Sequence, residues 1–166
     1  LHEGVEFSGR YDFRNVFGTG NSVYLRGAFT YLPVARFEGL RFSNVAGFAN
    51  VRVTGNRLPY ASGTLGNGIL GFVHRTGINA FVEAVQTGRQ YGDDLNTVNS
   101  TPDGQRGALP GNILWNATLN IPIESRRTTF FLTTKNLTNR TVIVDRVRGI
   151  LPNAPRLIQA GFKLDF

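Results

Sequence analysis

The sequence predicts an all-β chain: a transmembrane, antiparallel, up-and-down β-barrel, of which these residues supply about seven strands. Three observations predict it. Apolar and polar residues alternate along most of the chain, and successive strand residues face opposite sides of a sheet. The alternating segments are about ten residues long, the length a tilted strand needs to cross a bilayer. The connections between them are short and long in turn, as in barrels with tight turns at one rim and larger loops at the other.

The elements follow in order. Val5, Phe7, Gly9, Tyr11 and Phe13 alternate with Glu6, Ser8, Arg10 and Asp12, which gives a strand over 3–14. The glycine turn Phe17-Gly18-Thr19-Gly20-Asn21 leads back into a second strand at 22–33, where Val23, Leu25, Gly27, Phe29 and Tyr31 share one face. A long irregular stretch from Pro33 to Pro59 follows, with a short β piece expected at Phe48–Thr54. A third strand is expected from Tyr60 to Phe72, a tight turn at His74-Arg75-Thr76-Gly77, and a fourth strand from Ile78 to Tyr91. Residues 92–112 are rich in Gly, Asp, Asn and Pro and form a second long loop. Trp115, Ala117, Leu119 and Ile121 mark a fifth strand, and 122–127 a short turn. The sixth strand starts at Thr128 and is expected to continue past Asn139 to Val144, before a third loop at 146–155. In the last strand, 156–166, Ile158, Ala160, Phe162, Leu164 and Phe166 oppose Leu157, Gln159, Gly161, Lys163 and Asp165.

Composition supports this reading. Charged residues are 17% of the 166, below the quarter or so usual in soluble domains. Mean hydropathy is near neutral and no run reaches the ~20 apolar residues of a spanning helix. A barrel wall hides its hydrophobicity in alternation, so neither fact argues against a membrane. Cysteine is absent, which removes disulfides, thiolate metal sites and cysteine nucleophiles. The chain starts at Leu1 within a strand pattern and lacks methionine, so we expect a C-terminal segment of a longer protein. The net charge of +7 is carried almost wholly by arginines dispersed among strand ends and loops. Nucleic-acid modules cluster their basic residues among stacking aromatics. The dispersed pattern suits lipopolysaccharide or an anionic small ligand, and no nucleic acid is expected.

Four stretches, in order along the chain, resemble the C-terminal barrel of TonB-dependent outer-membrane receptors. His2-Glu3-Gly4-Val5-Glu6 is similar to a strand start common in those barrels. Asn56-Arg57-Leu58-Pro59-Tyr60-Ala61 is similar to their Leu-Pro approach to a descending strand, with Ala61-Ser62 where the family has a second proline. Lys135-Asn136-Leu137-Thr138-Asn139-Arg140 resembles the segment before their final loop. Gly161-Phe162-Lys163-Leu164-Asp165-Phe166 resembles their ending on an aromatic. The arginine-rich loops and the Arg89–Arg106 segment are most similar to receptors of the ferric-citrate type. The resemblance implies a 22-stranded barrel in the bacterial outer membrane, with residues 1–166 as its C-terminal segment and its C-terminus periplasmic. It implies an N-terminal plug, the TonB complex acting through that plug, and energy-dependent uptake of a ferric chelate, siderophore or ferric carboxylate. The partners expected are then the bilayer, lipopolysaccharide, the remaining strands and the plug. The ferric chelate is a transported ligand, with no covalently bound cofactor, no metal ligands in the chain and no enzymatic activity.

Other motifs carry less. Gly66-Asn67-Gly68-Ile69-Leu70-Gly71 matches a dinucleotide fingerprint in letters, but it lies inside a strand pattern and no helix follows it. Strand glycines instead allow curvature or close approach, here against a plug. His2 and His74 stand apart, with no partner spacing for zinc. Asp93, Asp94, Asn96, Asn99 and Asp103 form an oxygen-rich loop that lacks calcium-loop spacing, and Asp93-Asp94 as a catalytic pair lacks a nearby histidine or nucleophile elbow. Four N-glycosylation matches, at Asn99, Asn116, Asn136 and Asn139, are discounted for a bacterial chain. The candidate ligand-binding residues are Arg57, Arg89, Arg146 and Arg148, whose guanidinium forks match carboxylate or phosphate. The competing use of such arginines is lipopolysaccharide contact or rim salt bridging. The candidate membrane-facing residues are Ile158, Phe162, Leu164 and Phe166. Two other readings compete with the receptor: a small outer-membrane barrel of structural or adhesion type, and a soluble β-sandwich or lectin-like module. A sandwich would bury Phe7, Phe29, Trp115 and Phe162 in one core.

Overall fold

The computed structural model describes residues 1–16, 18–123, 125 and 127–164. Among these there are eleven strands: β1 (His2–Val16), β2 (Asn21–Ala35), β3 (Thr64–Val73), β4 (Asn79–Thr87), β5 (Gln90–Tyr91), β6 (Ala108–Leu109), β7 (Asn112–Ile123), β8 (Thr128–Lys135), β9 (Ile143–Asp145), β10 (Leu151–Pro152) and β11 (Leu157–Leu164). Seven of them make one antiparallel sheet in the order β1-β2-β3-β4-β7-β8-β11, and the other four pair as two short ribbons within loops, β5 with β6 and β9 with β10. The sheet is open: β1 and β11 are not paired with each other.

The register aligns the alternation of every strand. Phe7 pairs with Phe29, Tyr11 with Leu25, Leu25 with Leu70 and Leu70 with Val82. Val82 pairs with Ala117, Leu119 with Leu132 and Phe130 with Phe162. Directly paired residues point to the same side. One face, from Val5–Phe13 on β1 to Ile158–Leu164 on β11, therefore carries no charged residue over the regularly paired stretch of the seven strands; Glu3 lies beyond the irregularity at Glu3/Val5, at the loop end of β1. The opposite face holds Glu6, Arg10, Asp12, Arg26, Glu83, Lys135 and Lys163 with rows of Asn and Thr. A one-residue slip would place charged residues of β1, β2, β4, β8 or β11, or asparagines of β3 or β7, on the apolar side, so the pattern itself fixes the register.

Among the described residues, nothing covers the apolar face. Phe7 and Phe162 are each 66% exposed, and Phe29 and Trp115 are exposed too. The buried apolar side chains among the described residues are Tyr24 on the polar face, and Ala35, Val53 and Leu109 at the loop end. The sandwich reading, which needs Phe7, Phe29, Trp115 and Phe162 inside, does not fit. Ile158, Phe162 and Leu164 are exposed on the apolar face; Phe166 lies outside the described residues.

Four expectations about boundaries are corrected. β3 starts at Thr64, because Tyr60 takes a left-handed backbone (φ 57°) and joins the loops. β4 stops at Thr87: Gly88 follows, and Gln90–Tyr91 turns away to pair with Ala108–Leu109. β8 stops at Lys135 and does not reach Val144, because Asn136 and Asn139 have φ of 49° and 52°. No strand forms at Phe48–Thr54, which has a single bridge from Arg52 to Phe42.

The predicted asymmetry of connections is present. The turns after β1, β3 and β7 are short, and the loops at 36–63, 88–111 and 136–156 are long. In an antiparallel meander these two sets emerge at opposite ends of the sheet. The turn ends are tied together, with the Arg75 N–H donating to Asn21 Oδ1 at 2.9 Å. His74 closes its own turn through Nδ1 and the Thr76 hydroxyl.

Candidate functional site

The three long loops share one end of the sheet and are bonded to one another. The first loop (36–63) meets the second (88–111) at buried Asp94 and at Asn96, and buried Asp93 stands beside them. Asp94 accepts from the Ser43 hydroxyl and the Asn44 N–H, each at 2.6 Å. The Asn56 amide donates to the Asp94 carbonyl at 2.8 Å. Asn96 grips Arg57 from both sides, accepting its N–H and donating to its carbonyl, each at 2.7 Å. Asp93 accepts from the Leu95 and Thr97 N–H groups, the Thr97 hydroxyl and the Gly107 N–H, so it holds the second loop to itself. Each carboxylate is thus supplied with N–H and O–H donors, as buried ones must be. This is a structural use, unlike the calcium or acid–base roles weighed for the pair. Among the described residues no three His, Asp or Glu side chains are grouped to hold a metal.

The third loop (136–156) is set up by Asn136. Its left-handed backbone turns the chain out of β8, and its side chain bonds Arg140 N–H, Arg140 carbonyl and Ala154 carbonyl. That accounts physically for the Lys135–Arg140 motif. The loop joins the others through Tyr60, whose hydroxyl donates to Asp145 at 2.7 Å and accepts the Arg146 N–H at 3.1 Å. Burial, then the bond to Asp145, raises the Tyr60 hydroxyl above its ordinary value. The same bond holds the Asp145 carboxyl below the usual carboxylate range. Asp103 is lowered likewise, by the Thr101 hydroxyl and then the Gln105 N–H.

The four candidate arginines divide into two kinds. The Arg57 guanidinium donates to the carbonyls of Ala61 (2.7 Å), Pro33 (3.1 Å) and Leu32 (2.6 Å), so it clamps the foot of the first loop to the end of β2. Arg146 is buried and donates to Gly104, Arg106 and Ser100 of the second loop. Arg89 and Arg148 are exposed. Arg89 lies 5.4 Å over the Tyr91 ring, and Arg148 stands near Asp145. Two of the four guanidinium groups are thus engaged by backbone carbonyls of the loops and β2, and two belong to exposed residues. Between the loops is a cavity of about 560 Å³, lined by Phe37, Asn44, Pro59, Asp93, Arg106 and Val147 among others. Arg106 stacks 5.0 Å over Phe48 there.

Sequence reasoning missed Ser43, Tyr60, Asn96 and Asn136 as organisers. Their partners lie up to 86 residues away, and no local pattern encodes such pairings. Asn96 and Asn136 do carry a signal, since asparagine is the common non-glycine residue at positive φ.

The structure is similar to the crystal structure of the ferric citrate transporter FecA in its unliganded form. The likeness has a TM-score of 0.70 and 23% sequence identity, over 97% of this chain and 23% of that one. No sequence-family model matches the chain. The chain spans under a quarter of the transporter chain's length, and at this identity the similarity establishes the all-β, antiparallel fold.

Proposed function

We propose that this chain is a C-terminal sector of an outer-membrane transport barrel, and that its loops help admit an anionic ferric chelate. The observation that carries the membrane reading is the face without charge across the regularly paired stretch of all seven strands, backed by a face rich in Asn, Thr and charged residues. Lipid tolerates the first, and water or a plug suits the second. The likeness in fold to a ferric citrate transporter supports transport as the class. In this reading the long loops lie outside, the turns and the end of β11 face the periplasm, and further strands and a plug complete the barrel. A TonB complex working through that plug drives release. A small structural or adhesion barrel closed by these seven strands would pair β1 with β11, a pairing absent among the described residues.

Arg89 and Arg148 are the proposed first contacts for the anion, because their guanidinium groups are exposed. Arg57 and Arg146 add positive potential while holding the loops, since steering depends on summed charge rather than on contact. The test is uptake and binding of ferric citrate by the full-length protein carrying Arg89→Gln and Arg148→Gln, with surface level checked by antibody. Affinity is expected to fall several-fold at low salt and the difference to shrink as salt rises. Unchanged affinity for ferric citrate and for other anionic chelates at low salt would reject the ligand role of these arginines.

A further inference from the structure

Arg146 is 3% exposed, yet no carboxylate among the described residues forms an ion pair with it. Its Nη1 donates to the carbonyls of Gly104 at 3.0 Å and Arg106 at 3.5 Å, and its Nη2 to the Ser100 hydroxyl at 2.9 Å. Its Nε is buried without an acceptor. The stem lies on Gly92, where a Cβ would come within 3.3 Å of the Arg146 Cδ. The backbone N–H of the same residue donates to Tyr60 of the first loop. One residue of the third loop is thus rooted in the second and tied to the first.

A buried charge held by neutral acceptors is costly to keep and strongly rewarded by hydration. The niche is therefore poised. Its acceptors all belong to the second loop, so the guanidinium cannot reach water until the second and third loops part. When it leaves, Gly104, Arg106 and Ser100 lose their donor together. The first loop is fastened to the second by Asp94 and Asn96, so it is loosened by the same event.

We propose that Arg146 is a keystone that couples the three loops into one lid, which opens as a unit when the guanidinium leaves its niche. Hydrogen exchange on the full-length protein in detergent tests this without any ligand, so its outcome is separate from that of the transport reading. Arg146→Gln should speed exchange about tenfold or more at Ala108 and Thr101 in the second loop and at Asn44 and Arg57 in the first. Amides of β3 and β4 should be unchanged, which shows that the barrel is assembled. Ser100→Ala removes one acceptor and leaves the charge in place; it should give the same three-loop pattern, smaller in size. Acceleration confined to 136–156 in both variants would overturn the proposal and leave Arg146 as a local brace.

Discussion

Tyr24 and Gly71 are partners across the β2–β3 ladder on the polar side of the sheet. The Tyr24 ring lies over the glycine, with the Arg10 guanidinium 4.5 Å from its centroid and its hydroxyl 3.2 Å from Asn79 Oδ1. A Cβ on residue 71 would run into the Tyr24 ring. Gly71→Ala should therefore destabilise by about 1–3 kcal/mol, as overpacking does. With Tyr24→Ala in the same chain, most of that cost should vanish. Denaturant midpoints in micelles, followed by the single tryptophan, Trp115, would measure both. The sequence suggested that strand glycines make room for something, but not that Tyr24 from the next strand takes the space. The Tyr60–Asp145 pair makes a second case. Asp145 is lowered by the Tyr60 hydroxyl, so its contribution is present at neutral pH and lost as pH falls through a value below about 4. Tyr60 is raised, so its contribution is present below about 10 and lost as pH rises through the raised value. Loop protection against proteolysis should hold between those limits, and Tyr60→Phe should weaken the pH dependence at both ends.

At the scale of the element, β11 shows what alternation can and cannot reveal. Its two faces were legible because the period of two is strict from Leu157 to Leu164. The ends of β3, β4 and β8 were less so. Alternation continues by chance into Tyr60, Tyr91 and Val144, while the left-handed residues that break the ladder are a tyrosine and two asparagines rather than glycines. The main sheet was thus readable and its loop ribbons were not, since two- or three-residue pairings carry no period. For β11 the membrane reading predicts that Phe162→Arg costs about 2–4 kcal/mol if the residue lies near the bilayer midplane, and less near an interface. Spin labels at 157–164 should alternate in accessibility to an apolar quencher, with 158, 160, 162 and 164 high. A flat profile would remove β11 from the lipid surface.

For the whole molecule, the apolar material is on the outside. A soluble sheet of seven strands would fold its aromatic face against a second layer, and here that face stands open from Phe7 to Phe162. Cohesion comes instead from the ladders and, at one end, from loops bonded through Asp94, Asn96, Tyr60 and Arg146. The candidate arginines were legible as a set in the sequence, but their division into clamps and exposed cations was not. That division depends on carbonyls brought near by the fold, such as Leu32 for Arg57 and Gly104 for Arg146. The two sheet edges follow from the same membrane argument. Among the described residues β1 pairs with β2 alone, and β11 with β8 alone. In hydrocarbon each unpaired backbone group costs several kcal/mol, so an open edge of fifteen residues on β1 is not tolerated. The transport-barrel reading therefore requires both edges to be paired with strands beyond residues 1–166. In the full-length protein embedded in lipid, the β1 amides that point away from β2 should exchange as slowly as those bonded to it. In a preparation of residues 1–166 alone, the outward set should exchange orders of magnitude faster, as unprotected amides do. Equal and fast exchange of the outward set in both preparations would show the edge to be open in the native protein and would refute a larger barrel. Pairing of β1 with β11 in the 1–166 preparation would refute it as well and restore the small barrel.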